Sequence, residues 1–146
     1  MKDFNLHEKI TELMEFNFVS SKDLANSLGV SVQIVNRWKN NKSNKKIKLS
    51  NIIKLCDFFK CSIEFILGRT ENLIDYLPQT CPNFYDRLRK IIKEKGKSIY
   101  IIDKETAIKD NYFTYWKKGG EPQINVLAEL ADYLGCTVDY LIGRDK

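Results

Sequence analysis

The chain repeats itself. CSIEFILGR at 61–69 returns as CTVDYLIGR at 136–144, a shift of 75 residues. Trp38-Lys39 returns as Trp116-Lys117, a shift of 78, and at that same shift Asn5, Leu6 and Glu8 fall on Asn83, Phe84 and Asp86. The difference of three is an insertion in the lysine-rich loop of the first copy. Matches that recur in order, from the first helix cap to the last, mean one structural unit built twice. The 146 residues suit two small units, expected at 1–70 and 82–146 with a linker at 71–81. Pro78 within that linker and Pro82 just after it oppose helix. Leu73, Ile74, Tyr76 and Leu77 are too apolar for a free tether, so a short helix or turn packed on one or both units is expected there.

Hydrophobic spacing makes each unit all-helical. In the first copy Asn5 with Glu8 reads as a capping box opening a helix with Leu6, Ile10, Leu13 and Met14 on its apolar face. Ser20 and Asp23 form a second S-x-x-D box, ahead of Leu24, Ala25 and Leu28 at helical spacing. Gly29 stands where a left-handed residue would end that helix, and Val30 is expected as the buried residue of the turn. Ser31 can cap the next helix, with Val35 and Trp38 inward. Ala25 supplies the small side chain that two steeply crossing helices require. After the polar loop Asn40–Lys48, a fourth helix is expected to turn Ile52, Ile53, Leu55, Cys56 and Phe59 inward. Ser62 then caps a fifth carrying Ile63, Phe65, Ile66 and Leu67, ended by Gly68.

Two short helices joined by a tight turn, at Ser20–Lys39, are a helix-turn-helix. L-A-x-x-L-G-V-S-x-x-x-V-x-x-W, followed by I-x-x-L-C-D-F-F-x-C-S-I-E-F-I-L-G-R, resembles the lambda-repressor and Cro-like helix-turn-helix family across roughly Asn5 to Arg69. The resemblance implies a five-helix bundle that presents its third helix to the major groove of double-stranded DNA. The fold expected is therefore all-α, two tandem five-helix bundles, each with a helix-turn-helix.

Carried over from that family, the base contacts would be Val32, Gln33, Asn36 and Arg37, with Ile34 nearby. Gln33 can pair bidentately with adenine and Arg37 with guanine, while Val32 can meet a thymine methyl. Phosphate contacts would come from the hydroxyls of Ser21 and Ser31, the amide of Asn40, and Lys39, Lys42, Lys45, Lys46 and Lys48. From Arg37 to Lys48 there are six Lys or Arg and no acid. Such contacts set register and give salt-sensitive affinity but carry no sequence information. The family often has Gln where Ser21 stands, so one anchoring contact is shortened here.

The second helix-turn-helix, Ser98–Lys117, departs from the pattern. Ile99 replaces a polar contact residue, Asp103 takes the small-residue position, Thr106 the leucine and Ala107 the glycine. Asp110 places a negative charge at the groove-facing end. Its candidate contacts are Asn111, Tyr112, Tyr115, Lys117 and Lys118. Alternatively this copy packs or dimerises, with Tyr100, Tyr112 and Tyr115 as interface aromatics.

Other classes of function find little support. Lys plus Arg exceed Asp plus Glu by 24 to 19, too small an excess to identify a partner alone. One histidine, no C-x-x-C pair and no Gly-rich phosphate loop argue against a metal, a cofactor or an enzyme. Cys56, Cys61 and Cys136 read as small core residues. No run approaches 18 apolar residues and MKDFNLHEKI lacks a signal-peptide core, so a cytoplasmic protein is expected. The reading is a sequence-specific transcriptional regulator of phage or mobile-element repressor type. It would act as a homodimer, or as an internal pseudo-dimer reading an asymmetric site. The alternative is a module that grips a protein partner, as an antitoxin or phage-encoded inhibitor does.

Overall fold

A computed structural model describes residues 6–40, 47–71 and 80–144. The expected Asn5 cap, Lys42, Lys45, Lys46 and the apolar linker residues Leu73–Leu77 lie outside them. Ten helices and no strand occur among the described residues. The chain divides into two compact units, Met1–Pro78 and Gln79–Lys146.

The first unit contains α1 (Leu6–Phe16), α2 (Ser21–Leu28), α3 (Val32–Asn40), α4 (Leu49–Phe59) and α5 (Ile63–Ile66). The second contains α6 (Phe84–Glu94), α7 (Ile99–Glu105), α8 (Asp110–Lys117), α9 (Ile124–Leu134) and α10 (Val138–Ile142). Shifted by 78, α1 falls on α6, and shifted by 75, α4 falls on α9, residue for residue. The three extra residues of the first copy thus lie between its third and fourth helices.

Core formation follows the apolar stripes. Leu6, Ile10, Leu13 and Met14 of α1 are buried, with Leu24, Ala25 and Leu28 of α2 and Val35 and Trp38 of α3. Ala25, 2% exposed, lies where α2 packs on α3. In α4 only Leu49, Ile52, Leu55 and Cys56 are buried. Ile53 and Phe59 lie half-buried on its flanks, Phe59 edge-on to Phe58 at 5.0 Å. Val30 and Cys136 are likewise half-buried rather than buried. Both immediately follow a left-handed glycine, Gly29 (φ 70°) or Gly135 (φ 70°), which swings the chain out of the helix and leaves the next side chain at the core's rim. Phe65 is half-buried too, with the Lys9 ammonium 4.8 Å above its ring.

Caps recur as the repeat requires. Ser20 and Asp23 complete their reciprocal box, Asp23 N–H donating to Ser20 Oγ at 3.1 Å and Ser20 N–H to Asp23 Oδ2 at 3.4 Å. Ser98 Oγ caps α7, Asn83 Oδ1 caps α6, and Ser62 and Thr137 cap α5 and α10. One repeated feature escapes hydrophobic patterning. Arg69 pairs with Glu64, and 75 residues later Arg144 pairs with Asp139 at 3.0 Å. The second pair is wholly buried, 0% and 1% exposed. The acid-x4-Arg spacing at the end of both copies was its signal.

Tyrosines tie helices of the second unit together. The Tyr140 hydroxyl donates to Glu94, joining α10 to α6, and that of Tyr133 donates to Glu105, joining α9 to α7. Each carboxylate accepts the phenolic proton and so raises that phenol's pKa above its ordinary value.

Candidate nucleic-acid interface

In the first unit the capping box fixes where α2 starts, and Gly29 fixes where it stops. Gly29 N–H bonds back to Ala25 O and Val30 N–H does the same at 3.0 Å. Ser31 Oγ then accepts from Ile34 N–H at 3.2 Å, capping α3 while its own hydroxyl proton stays available to donate outward. Lys54 donates to Leu28 O at 3.4 Å, closing the C-terminus of α2 from the fourth helix. Sequence reading missed that lysine, because only the fold brings residues 28 and 54 together.

With Val35 and Trp38 locked inward, helical periodicity turns Val32, Gln33, Asn36 and Arg37 outward, and all four are exposed. Ile34 is half-buried. Exposure of Val32, at 37%, leaves an apolar side chain at the start of the helix facing solvent. Lys39 Nζ lies 3.4 Å from Ser21 Oγ, so two expected phosphate anchors from different helices meet at one rim of this face. Asn40 ends α3 and Lys48 precedes α4, both exposed. No acid occurs in α3 and its last turn holds Arg37 and Lys39.

The second unit keeps the two-helix frame but rebuilds the turn. The first-copy glycine becomes Ala107, and no left-handed residue is used. Instead α7 ends on Thr106 in extended conformation (φ −132°, ψ 174°). Thr106 Oγ1 donates to Ile102 O at 2.7 Å and accepts from Ile108 N–H at 3.0 Å, replacing the turn's backbone closure. Lys109, at the position of the capping Ser31, folds back to donate to Asp103 O (2.6 Å) and Thr106 O (3.0 Å). Asp103 does not crowd the helix crossing. Its Oδ2 accepts from Asp110 N–H at 2.7 Å, capping α8 from α7. The positive end of α8 is therefore neutralised from within, beside a second carboxylate on Asp110.

Of the second copy's candidates, Asn111, Lys117 and Lys118 are exposed. Tyr112 is 39% exposed with its ring 5.9 Å from Trp116. Tyr115, 58% exposed, lies along the Gly119-Gly120 turn, so close that a Cβ on Gly120 would fall 2.3 Å from the ring. Among the described residues no group of His, Cys, Asp and Glu could hold a metal ion. No helix among them is long and apolar enough to cross a membrane.

The five-helix frame of the first unit exposes Gln33, Asn36 and Arg37 on the acid-free outer face of its third helix, with Ser21 and Lys39 meeting at the rim. The model of the Cro/C1-type helix-turn-helix DNA-binding domain matches the chain twice, over residues 9–71 and 87–146. The chain belongs to that family as two tandem copies, and it is a DNA-binding transcriptional regulator. No curated protein and no solved structure matches it.

Proposed function

We propose that this protein is a sequence-specific repressor of phage or mobile-element type that reads the major groove with α3 of its first unit. The observation that carries this is the contrast between the two helix-turn-helix faces. In the first, Gln33 and Arg37 stand exposed on an acid-free helix, and Ser21 and Lys39 meet at its rim. In the second, the equivalent helix end is capped by Asp103 and flanked by Asp110.

Gln33 and Arg37 carry the discrimination, Asn36 and Val32 assist, and Ser21, Ser31, Lys39, Asn40, Lys42, Lys45, Lys46 and Lys48 hold phosphates. The units span 1–70 and 82–146 around the connecting segment 71–81. The chain works as a homodimer on a two-fold operator, its half-sites one helical turn, about 34 Å, apart. The alternative, a grip on a protein partner, is favoured by the exposed tyrosines of the second unit, and a stoichiometric complex with no duplex binding would establish it instead.

Gln33→Ala and Arg37→Ala test the reading. Each is expected to lower preference for the favoured duplex over a scrambled one, with the fold retained by circular dichroism. Unchanged discrimination in both variants would sink it.

A further inference from the structure

We infer that the outer face of α8 in the second unit is a pairing surface for a second copy of the same face, the two α8 helices lying antiparallel across a two-fold axis. This deepens the proposed function and rests on its assignment of DNA reading to the first unit.

The first argument is what the face rejects. A helix-turn-helix turns the start of its third helix toward the groove, and that end, with its positive dipole, ordinarily favours a polyanion. In α8 that end already holds Asp103 Oδ2 at 2.7 Å from Asp110 N–H, with the Asp110 carboxylate exposed beside it. Lys109, the cation nearest that end, is turned onto the carbonyls of Asp103 and Thr106. Two carboxylates at the approach repel a polyanion.

Charge order along the helix is the second argument. Asp110 opens α8 and Lys117 closes it, seven residues and two turns apart, so they share one edge. Asn111 and Lys118 follow the adjacent line, and Thr114 lies between the two ends; all five are exposed. Acid at one end and base at the other makes the stripe self-complementary when reversed. In an isologous contact Asp110 of each copy meets Lys117 of the other, twice. The first unit's helix has no such order, since Val32 stands where Asp110 does.

Aromatic cover is the third. Tyr115 (58% exposed) and Tyr112 (39%) rise from the same helix, and Tyr100 (71%) and Ile101 (37%) from α7 packed against it. Tyrosine is enriched at the cores of protein interfaces. The ring of Tyr115 is held against Gly120, so it enters an interface already ordered.

The test is sedimentation of the full chain over a concentration series. Asp110→Lys alone and Lys117→Asp alone each set like charges against each other twice, and each is expected to weaken self-association at least tenfold. An equimolar mixture of the two variants restores both opposite-charge pairs and should recover association, as should the double variant Asp110→Lys/Lys117→Asp. Recovery separates a lost contact from a lost fold. Single variants that associate like the wild type would overturn the proposal. So would a mixture and a double variant that both stay dissociated, or Asp110→Lys tightening duplex binding with association unchanged. The first unit is read independently: loss of sequence preference in the wild-type chain would reject the repressor reading, whatever the sedimentation shows.

Discussion

Gln33 and Arg37 matter because α3 has nowhere else to point them. Val35 is 0% and Trp38 4% exposed, and those two anchors fix the helix's rotation, so Gln33 and Arg37 face out. A bidentate pair to a base discriminates by about 1–3 kcal/mol, so Gln33→Ala or Arg37→Ala should cost that much on the preferred duplex and almost nothing on a scrambled one. Competition binding with both duplexes measures it. A phosphate anchor behaves otherwise: Lys39→Ala should weaken all duplexes alike and reduce the salt slope by about one. The exposure of Gln33 and Arg37 was legible in the sequence because Val35 and Trp38 must be buried, whereas their role as contacts is what the family resemblance implies. The roles of Asp103, Thr106 and Lys109 were not. Spacing shows that they break the family pattern, but only the fold shows their polar groups closing on one another across the turn.

The ends of the fourth helices keep one backbone conformation with different residues. Each unit ends its fourth helix with a left-handed residue, Gly135 (φ 70°) in the second but Lys60 (φ 56°) in the first. A side chain in that conformation costs roughly 1–2 kcal/mol, partly offset by the entropy glycine loses on folding. Lys60→Gly should therefore raise the first unit's stability by up to about 1 kcal/mol, and Gly135→Ala should lower the second's by a similar amount. Thermal unfolding of each variant against the wild type checks both signs. The buried Arg144–Asp139 pair predicts a larger effect. Asp139→Ala leaves a guanidinium in the core with its carboxylate gone and should cost about 3–5 kcal/mol, enough to unfold a unit this small. Asp139→Glu should recover part of it. Helix starts and stops were readable from Ser, Thr, Asn and Gly at their expected places. The half-buried flanks, Ile53, Phe59, Val30 and Cys136, were not, since periodicity identifies a face but not where its edge meets solvent.

Across the molecule, duplication followed by divergence accounts for the contrast between the units. Both keep the helix-turn-helix frame, since a serine caps the second helix of each (Ser20, Ser98) and a buried tryptophan anchors the third (Trp38, Trp116). One retains an acid-free third helix, while the other has carboxylates at the start of its third helix and exposed tyrosines on its surface. Under the proposed function a single reading unit per chain contacts one half-site, so a two-fold operator requires two chains. Selection of bound duplexes from a random DNA pool at two salt concentrations distinguishes a two-fold operator from the alternatives. The expected result is an enriched motif with two-fold symmetry whose sequence preference persists as salt weakens total binding. An asymmetric motif would mean that both units of one chain read bases. Sequence-blind binding that vanishes with salt would contradict the claim that α3 reads sequence at all.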